Sequence, residues 1–568
     1  MTTSSSTIAK RPAQYFGLLL VRWFAIALLL GGAGGCASLP ANEGRTRSTH
    51  FTQPETTALG QLVQVRRGQA NTRSDSGFHL LDAVDAALSS RLALIDAAQR
   101  TLDLQYYAIH ADASTEVLLQ RLRDAARRGV RVRILLDDFN SVGEDAQVLR
   151  LAFEPNVQIR LFNPLPGNRS NMVGRIITSL HDVGRMQKRM HNKLFIADNA
   201  WGITGGRNLG DQYFGVGDKQ NFVDLDVLAA GRIVRDMSAS FDRFWNDELA
   251  YPVQTLLDAD DLEKLRRSQP ASAPAAPGAL KPVALPVTVS PTVLPSITPT
   301  AVAQAERPSM DLGTVSLIWA PSALMVDAPG KVGPGDDEVN AGDTVIDGLL
   351  NLMQGARRDV VIISPYLVPG PRMMAIYEQM HKRGVRIRIL TNSLASNDAP
   401  AAHAGYARYR KDLLDAGVEI YEMRSAPESA EELLHDKPAE EKAHSSWLGS
   451  GPGGSKGGAS RASLHSKAVI IDGYLSVIGS MNLDLRSQLK NSEVGLVIRS
   501  TALAQVATQQ IEQTLATAAY RLEERGSGFH WRAPPGAGFG DENDEPGAST
   551  KLKLLVRVLG PFAPDEML

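Results

Sequence analysis

The sequence has almost no cysteine: among 568 residues, Cys36 stands alone. No intrachain disulfide can form and no cysteine-based zinc site can be built, which excludes a disulfide scaffold and a zinc ribbon. An excess of charge of either sign is missing too. The 60 Lys and Arg against 62 Asp and Glu leave a net charge of −2, so no global basic field draws the chain to nucleic acid, although local patches remain available. Beyond the N-terminus there is no run of about 18 apolar residues that could span a bilayer. What is present, 43% hydrophobic and 21% charged residues, is ordinary for a globular protein, and the length calls for about two to four domains.

The N-terminus follows a secretory pattern. Lys10, Arg11 and Arg22 precede an apolar stretch, Trp23 to Leu30, and then Gly-Gly-Ala-Gly-Gly leads to Cys36. A charged start, an apolar middle and a small-residue end are the parts of an export signal. A cysteine directly after the small residues is the arrangement of a bacterial lipoprotein signal, in which that cysteine is acylated. Ala33 stands where Leu is usual, and Arg22 divides the apolar stretch, so an uncleaved anchor is the alternative. Either way the body is expected to be exported and held at a membrane surface, facing the periplasm. Ala37 and Ser38 lack the acidic residue usual for inner-membrane retention; the resemblance to lipoprotein signals suggests the outer membrane, and the choice between inner and outer membrane stays open.

Six segments are expected: a signal or anchor (1–36), a tether (37–77), a first domain (78–268), a proline-rich linker (269–308), a second domain (309–525, with a flexible insertion at 425–461) and a tail (526–568). In the first domain, HLLDAVDAALSSRLALIDAAQR has helical apolar spacing and TLDLQYYAI reads as a strand. Gly129 then ends a helix and opens a strand. After the linker the pattern returns, and RRGVRVRIL at 127–135 is echoed by KRGVRIRIL at 382–390. A period of about half the chain means a duplicated domain. Alternating strands and helices imply α/β domains, each a mixed, mainly parallel sheet flanked by helices.

Each half carries one signature. HNKLFIADNAWGITGGRN holds His191, Lys193, Asp198, Gly206 and Asn208; HSKAVIIDGYLSVIGSMN holds His465, Lys467, Asp472, Ser480 and Asn482. The internal spacing is identical, and two chance copies in a duplicated chain are very improbable. The runs LFIA and AVII are strand-like, and residues two apart on a strand face the same way, so each histidine projects beside its lysine. A phosphodiester is anionic. Two lysines can neutralise it, Asn208, Asn482 and Ser480 can bind its non-bridging oxygens, and two histidines can divide attack from proton transfer. Neither half is complete, so the halves are expected to face each other in a pseudo-twofold arrangement around one active site. His191, His465, Lys193, Lys467, Asp198 and Asp472 form the candidate catalytic set. No carboxylate or cysteine metal cluster surrounds them, so neither a metal nor a cofactor is expected.

On these motifs the chain resembles the phospholipase D superfamily over about residues 78–525. The resemblance implies a ping-pong reaction through a phosphohistidine, with His191 as nucleophile and His465 as acid/base; the symmetric copies alone do not decide between them. It also suggests that Asp224, in FVDLDVLA, and Glu493, in NSEVGLVI, orient the histidines, and that Asp198 and Asp472 hold structure. Further segments, among them ISPYLVPG, TNSLASNDAPAAHAGYARYRKDLLDAGVEIYE and GSMNLDLRSQLKNSEVGL, look like bacterial cardiolipin synthase C-type enzymes, which join two phospholipids and release a head-group alcohol. The implied partners are phospholipid substrates and a membrane surface, not nucleic acid. A hydrolase using water as acceptor is the runner-up; a nuclease or a non-catalytic lipid-binding lipoprotein ranks lower. Tyr107 and Tyr366 follow the matched strands and either line the cleft or pack. The seven Lys and Arg of 160–193, mixed with apolar residues, suit an anionic membrane surface or an ordinary solvated loop.

Overall fold

The computed structural model describes residues 39–141, 143–166, 182–215, 221–257, 309–333, 344–425, 462–526, 528–560 and 565. The signal with Cys36, the linker 269–308 and nearly all of the insertion 425–461 lie outside the described residues, as do Arg169 and Arg175.

Two nine-stranded sheets form the molecule. The first runs, edge to edge, Ile318–Trp319 (β10), Ser76–Leu81 (β1), Asp226–Gly231 (β8), Trp201–Gly205 (β6), Leu194–Ala197 (β5), Thr101–Tyr106 (β2), Arg131–Asp137 (β3), Val157–Phe162 (β4) and Ala250–Pro252 (β9). The second runs Ser322–Val326 (β11), Val494–Arg499 (β20), Leu475–Gly479 (β18), Ala468–Ile471 (β17), Asp359–Ile363 (β12), Arg386–Asn392 (β14), Val418–Met423 (β15), Ala519–Arg525 (β21) and Gly528–Arg532 (β22). Eight positions correspond in order, from β1 and β11 through to β9 and β21. Only β10 and β22 are additions, one at each end.

The sheets are mixed, but the parallel part is smaller than expected. It comprises β2–β3–β4 and β12–β14–β15, and the other joins are antiparallel. The reason is local. The helices Ala113–Arg127 and Gly370–Lys382 carry the chain back to start parallel strands, with Gly129 and Gly384 at φ +94° and +79° making the turn into β3 and β14. The motif strands instead fold back at once as hairpins, through turns opened by Asp198 and Asp472, at φ +51° and +52°. A short polar side chain tolerates that left-handed conformation.

Several boundaries move. HLL of HLLDAVDAALSSRLALIDAAQR belongs to β1, and the helix is Val84–Ala97. The stretch expected to be a tether is packed from residue 39 onward: Arg160 and Arg133 donate to the carbonyls of Thr46 and Ser48, His50 binds Asp242 at 2.7 Å, and the helix Ala58–Gln69 buries Leu59 and Val63. Those carbonyls satisfy buried guanidinium groups, a role without periodicity in sequence. The expected tail adds β22 to the second sheet, while Trp531 and Glu545 bond Glu422 and Arg410. Residues 310–319 pack with the first half, through Leu312 and β10, and the chain crosses to the second sheet at Ala320–Pro321.

One apolar cluster joins the halves. Val227, Met237 and Phe241 from the first lie with Ile470, Ile478, Leu496 and Leu503 from the second. Among the described residues, no helix is long and apolar enough to cross a membrane.

Candidate active site

Both motif histidines stand just ahead of a hairpin strand, and both are pinned by the opposite half. The His191 N–H donates to the Ser492 carbonyl at 2.9 Å. In the matching place the N–H groups of His465 and Ser466 donate to the Val223 carbonyl at 2.9 and 3.1 Å, where Asn221–Val223 (β7) pairs in parallel with Ala462–Leu464 (β16). Each histidine is therefore docked beside the acid that follows the other motif. His191 Nδ1 lies 2.9 Å from Glu493 Oε2 and 3.1 Å from Oε1. His465 Nδ1 lies 2.7 Å from Asp224 Oδ2. A carboxylate only accepts, so Nδ1 carries the hydrogen in both rings and Nε2 keeps its lone pair.

The residue before each histidine is also fixed. Asp137, at the end of β3, accepts from the Met190 N–H at 2.8 Å. Its counterpart Asn392, at the end of β14, grips Leu464 by N–H and carbonyl, both at 2.9 Å. Neither residue stands out in the sequence; the only signal is that each lies two residues beyond its copy of the RGVR(V/I)RIL repeat.

The four motif bases are nearly sealed. His191 and His465 are each 6% exposed, Lys193 2% and Lys467 0%. Lys193 and Lys467 donate to the carbonyls of His191 and His465 at 2.9 and 2.5 Å. Burial and the two neighbouring lysines pull His191 down to about 4, against the opposing pull of Glu493. Burial, Lys467 and Lys193 lower His465 well below the ordinary histidine value. Burial and the charge of Lys467 bring Lys193 down to about 7, and burial lowers Lys467 as well. Burial and mutual repulsion thus disfavour positive charge on these four groups, and a bound anion would offset both.

The two acids differ. Burial would raise Glu493, but His191, Lys193 and the Ser480 hydroxyl outweigh it and hold Glu493 below the usual carboxylate range. Ser480 Oγ donates to Glu493 Oε2 at 2.5 Å and Ser487 Oγ to Oε1 at 2.9 Å. Asp224 is raised by burial despite Lys467 and Arg207; besides His465 it receives the Leu225 N–H, at 2.7 Å.

Three motif residues have other partners. Ser480 is not free to bind phosphate: its hydroxyl donates to Glu493 and accepts from the Val494 N–H at 3.0 Å. Asp198 and Asp472, motif residues that the resemblance implies hold structure, are bonded to backbone. Asp198 accepts from the N–H groups of Gln99, Arg100 and Thr101, and Asp472 from those of Arg357, Arg358 and Asp359; each ties its hairpin to the start of the neighbouring strand. Asn208 is partly engaged, by the Tyr213 hydroxyl at 3.0 Å and the Ala108 N–H at 3.3 Å, whereas Asn482 Oδ1 is buried without a partner. Of the basic stretch, Arg160, Arg189 and Lys193 are buried and bonded and do not belong to a surface patch.

Aromatic rings wall the histidines. Tyr107 meets His191 edge-on at 5.3 Å, and Tyr213 meets His465 edge-on at 5.5 Å with Phe222 at 5.0 Å.

Two matching sheets that cross-clamp a His–Lys pair from each half define a two-histidine phosphodiester site of the phospholipase D-like class. The chain belongs to the family described as "Cardiolipin synthase, PLD-like domain", which matches residues 92–245, 349–451 and 453–515. It is 37% identical to cardiolipin synthase C of Escherichia coli over 456 residues, covering 80% of this chain and 88% of that protein. It is 29% identical to an uncharacterized protein of Helicobacter pylori over 493 residues, 85% and 87% of the two chains. In fold it is similar to a phosphatidylserine synthase from Haemophilus influenzae, with a TM-score of 0.52 at 14% identity over 89% of this chain and all of that one.

Proposed function

We propose that this protein is a phosphatidyltransferase that joins two phospholipids, as in cardiolipin synthesis, through a covalent phosphohistidine. The observation that carries the reading is the crossed clamp: His191 on Glu493 and His465 on Asp224, with two buried lysines beside them. In the first step His191 Nε2 attacks the donor phosphorus. The P–N bond forms and the bond to the head-group oxygen breaks; His465, which takes up a second proton on Nε2 when the anionic phosphodiester offsets the neighbouring lysine charge, gives that proton to the departing oxygen. In the second step an acceptor hydroxyl gives its proton to His465 and attacks phosphorus, and the electron pair of the P–N bond returns to His191. Lys193 and Lys467 neutralise the non-bridging oxygens, with Asn482 and the remaining amide hydrogen of Asn208 as supporting donors.

The inequality of the acids supports this division. A phosphorylated imidazole is cationic and needs a firm anion at Nδ1, which Glu493, held by two serines, supplies. A histidine that gains and loses a proton in each cycle suits the less firmly ionised Asp224.

Residues 1–36 are read as a lipoprotein signal with acylation at Cys36, holding the enzyme at a bacterial envelope membrane on the periplasmic side. Mass spectrometry of the mature N-terminus tests this; an unmodified Met1 sinks it. The activity is tested by comparing lipids of cells carrying the wild type and His191→Ala. A dimeric phospholipid that appears only with the wild type supports transfer. Phosphatidic acid alone favours the hydrolase, in which water takes the acceptor's place.

A further inference from the structure

We infer that Tyr366 and Asp398 form the head-group subsite of this enzyme, selecting an acceptor alcohol that carries a second hydroxyl, such as glycerol. The inference rests on the transfer reading above.

In-line displacement places the attacking and leaving atoms on opposite sides of phosphorus. With His191 on one side, His465 marks the side by which the first alcohol leaves and the second enters. Side chains on the His465 wall therefore choose the alcohol. Tyr366 follows β12, and Asp398 lies in the loop after β14. These strands are adjacent and parallel, and ligands of α/β sheets bind beyond the C-terminal ends of such strands.

Both residues are tied to that wall. Asn392, which ends β14, grips Leu464, the residue before His465, and Ser396 donates to Asn392 at 3.0 Å. Ser364 donates to the Tyr366 carbonyl at 2.6 Å and accepts from the Leu483 N–H at 3.0 Å. Tyr366 itself donates to Asp398 Oδ1 at 2.8 Å. Asp398 lies within electrostatic reach of Lys467 and of Tyr213, and Tyr213 stands edge-on to His465. Tyr366 and Asp398 are half-buried, so they can be reached by a ligand.

The opposite wall differs in one respect. There the tyrosine beside His191, Tyr107, is paired with the neutral Asn140. On the alcohol side the tyrosine is hydrogen-bonded to an acid instead. A carboxyl group offers several acceptor positions, and Asp398 uses one on Tyr366 and one on its own N–H. Burial pushes this carboxyl up to about 6, consistent with a group that lacks a cationic partner of its own. A second hydroxyl on the acceptor would complete its bonding. A simple alkyl alcohol would leave it desolvated and unmatched.

The test is a mixed-acceptor reaction with a nitrophenyl phosphatidate in detergent micelles, whose leaving group needs no recognition. Glycerol and propan-1-ol are present at equal concentration, and the two phosphatidyl products are measured together. Their ratio does not depend on how much enzyme is folded or active. Wild type should favour the glycerol product. Asp398→Ala should lower the ratio about tenfold, the effect of one hydrogen bond to a charged group, and Tyr366→Phe should lower it by a smaller factor. Tyr107→Phe, on the other wall, should leave the ratio alone. A wild type without preference, or a ratio unmoved in both Asp398→Ala and Tyr366→Phe, overturns the subsite and leaves transfer standing. Phosphatidic acid as the sole product overturns the transfer reading and the subsite together.

Discussion

The two copies of the motif share every spacing and differ in what surrounds them. Around His191 the acid comes from the second half and is held by two serine hydroxyls. Around His465 the acid comes from the first half, and neither serine has an equivalent there. At the place of Ser480 stands Gly206, where a Cβ would approach Asp224 Oδ1 to 2.2 Å. At the place of Ser487 stands Tyr213, which packs on His465 instead. Duplication supplied two identical reactive pairs. Their division of labour is written in the neighbours, each of which belongs to the other half.

The comparison can be broken first at the acids. Glu493→Gln leaves the geometry nearly intact but removes the anion and the tautomer control of the nucleophile. By analogy with the loss of a triad aspartate, kcat should fall by roughly 10³ to 10⁴. Asp224→Asn should act on proton transfer, so its loss should shrink when a nitrophenyl donor replaces a natural head group. Equal losses for both variants with both donors, measured in single-turnover assays, would mean that the copies are interchangeable.

The lysines come next. Lys193→Met and Lys467→Met should each cost about 2 to 4 kcal/mol of transition-state stabilisation, the scale of one removed oxyanion donor, read from kcat/KM. The serine–glycine exchange is smaller. Ser480→Ala removes a hydrogen bond to an ionised carboxylate and should cost about 1.5 to 3 kcal/mol in kcat/KM, whereas Gly206→Ser should displace Asp224 and impair His465. A Gly206→Ser protein with wild-type turnover would show that the close approach is not required.

The smallest effect expected is on anion binding with pH. Burial and Lys467 bring Lys193 down to about 7, from its ordinary value of 10.5. Above about 7 it is neutral, and an arriving anion must recruit a proton; below about 7 it is already charged. Sulfate keeps its charge across this range, so its affinity should weaken as pH rises from 6 to 8.5, and Lys193→Met should flatten the trend. Calorimetric titration measures this. Affinity that is level with pH in the wild type would mean that Lys193 stays charged throughout. The same shift means that burial disfavours the charged lysine, so the empty protein should lose stability as pH falls from the unfolded value toward 7.

The sequence made some of this legible and hid the rest for physical reasons. The His-x-Lys pairs, the duplication and the α/β class are visible because they rest on local spacing. Asp224 and Glu493 could be named by resemblance, but their crossing between halves follows from how β7 meets β16 and how Met190 meets Ser492, which no local pattern encodes. Ser480 looked like a phosphate ligand because its chemistry allows it; only packing shows that its hydroxyl belongs to Glu493. The segments at 39–75 and 528–560 were harder to read because their apolar anchors are few, Leu59 and Val63 in one and Trp531 in the other, and much of the rest of their contribution is backbone carbonyls, ion pairs and an edge strand.

The central claim is that His191 alone takes the phosphoryl group although His465 has the same motif. Rapid quenching with a phospholipid labelled in its phosphate, followed by peptide mapping under alkaline conditions that preserve phosphohistidine, tests it directly. Label should appear on the His191 peptide, persist in His465→Ala with a nitrophenyl donor, and vanish in His191→Ala. Label on the His465 peptide, or label that survives His191→Ala, would contradict it.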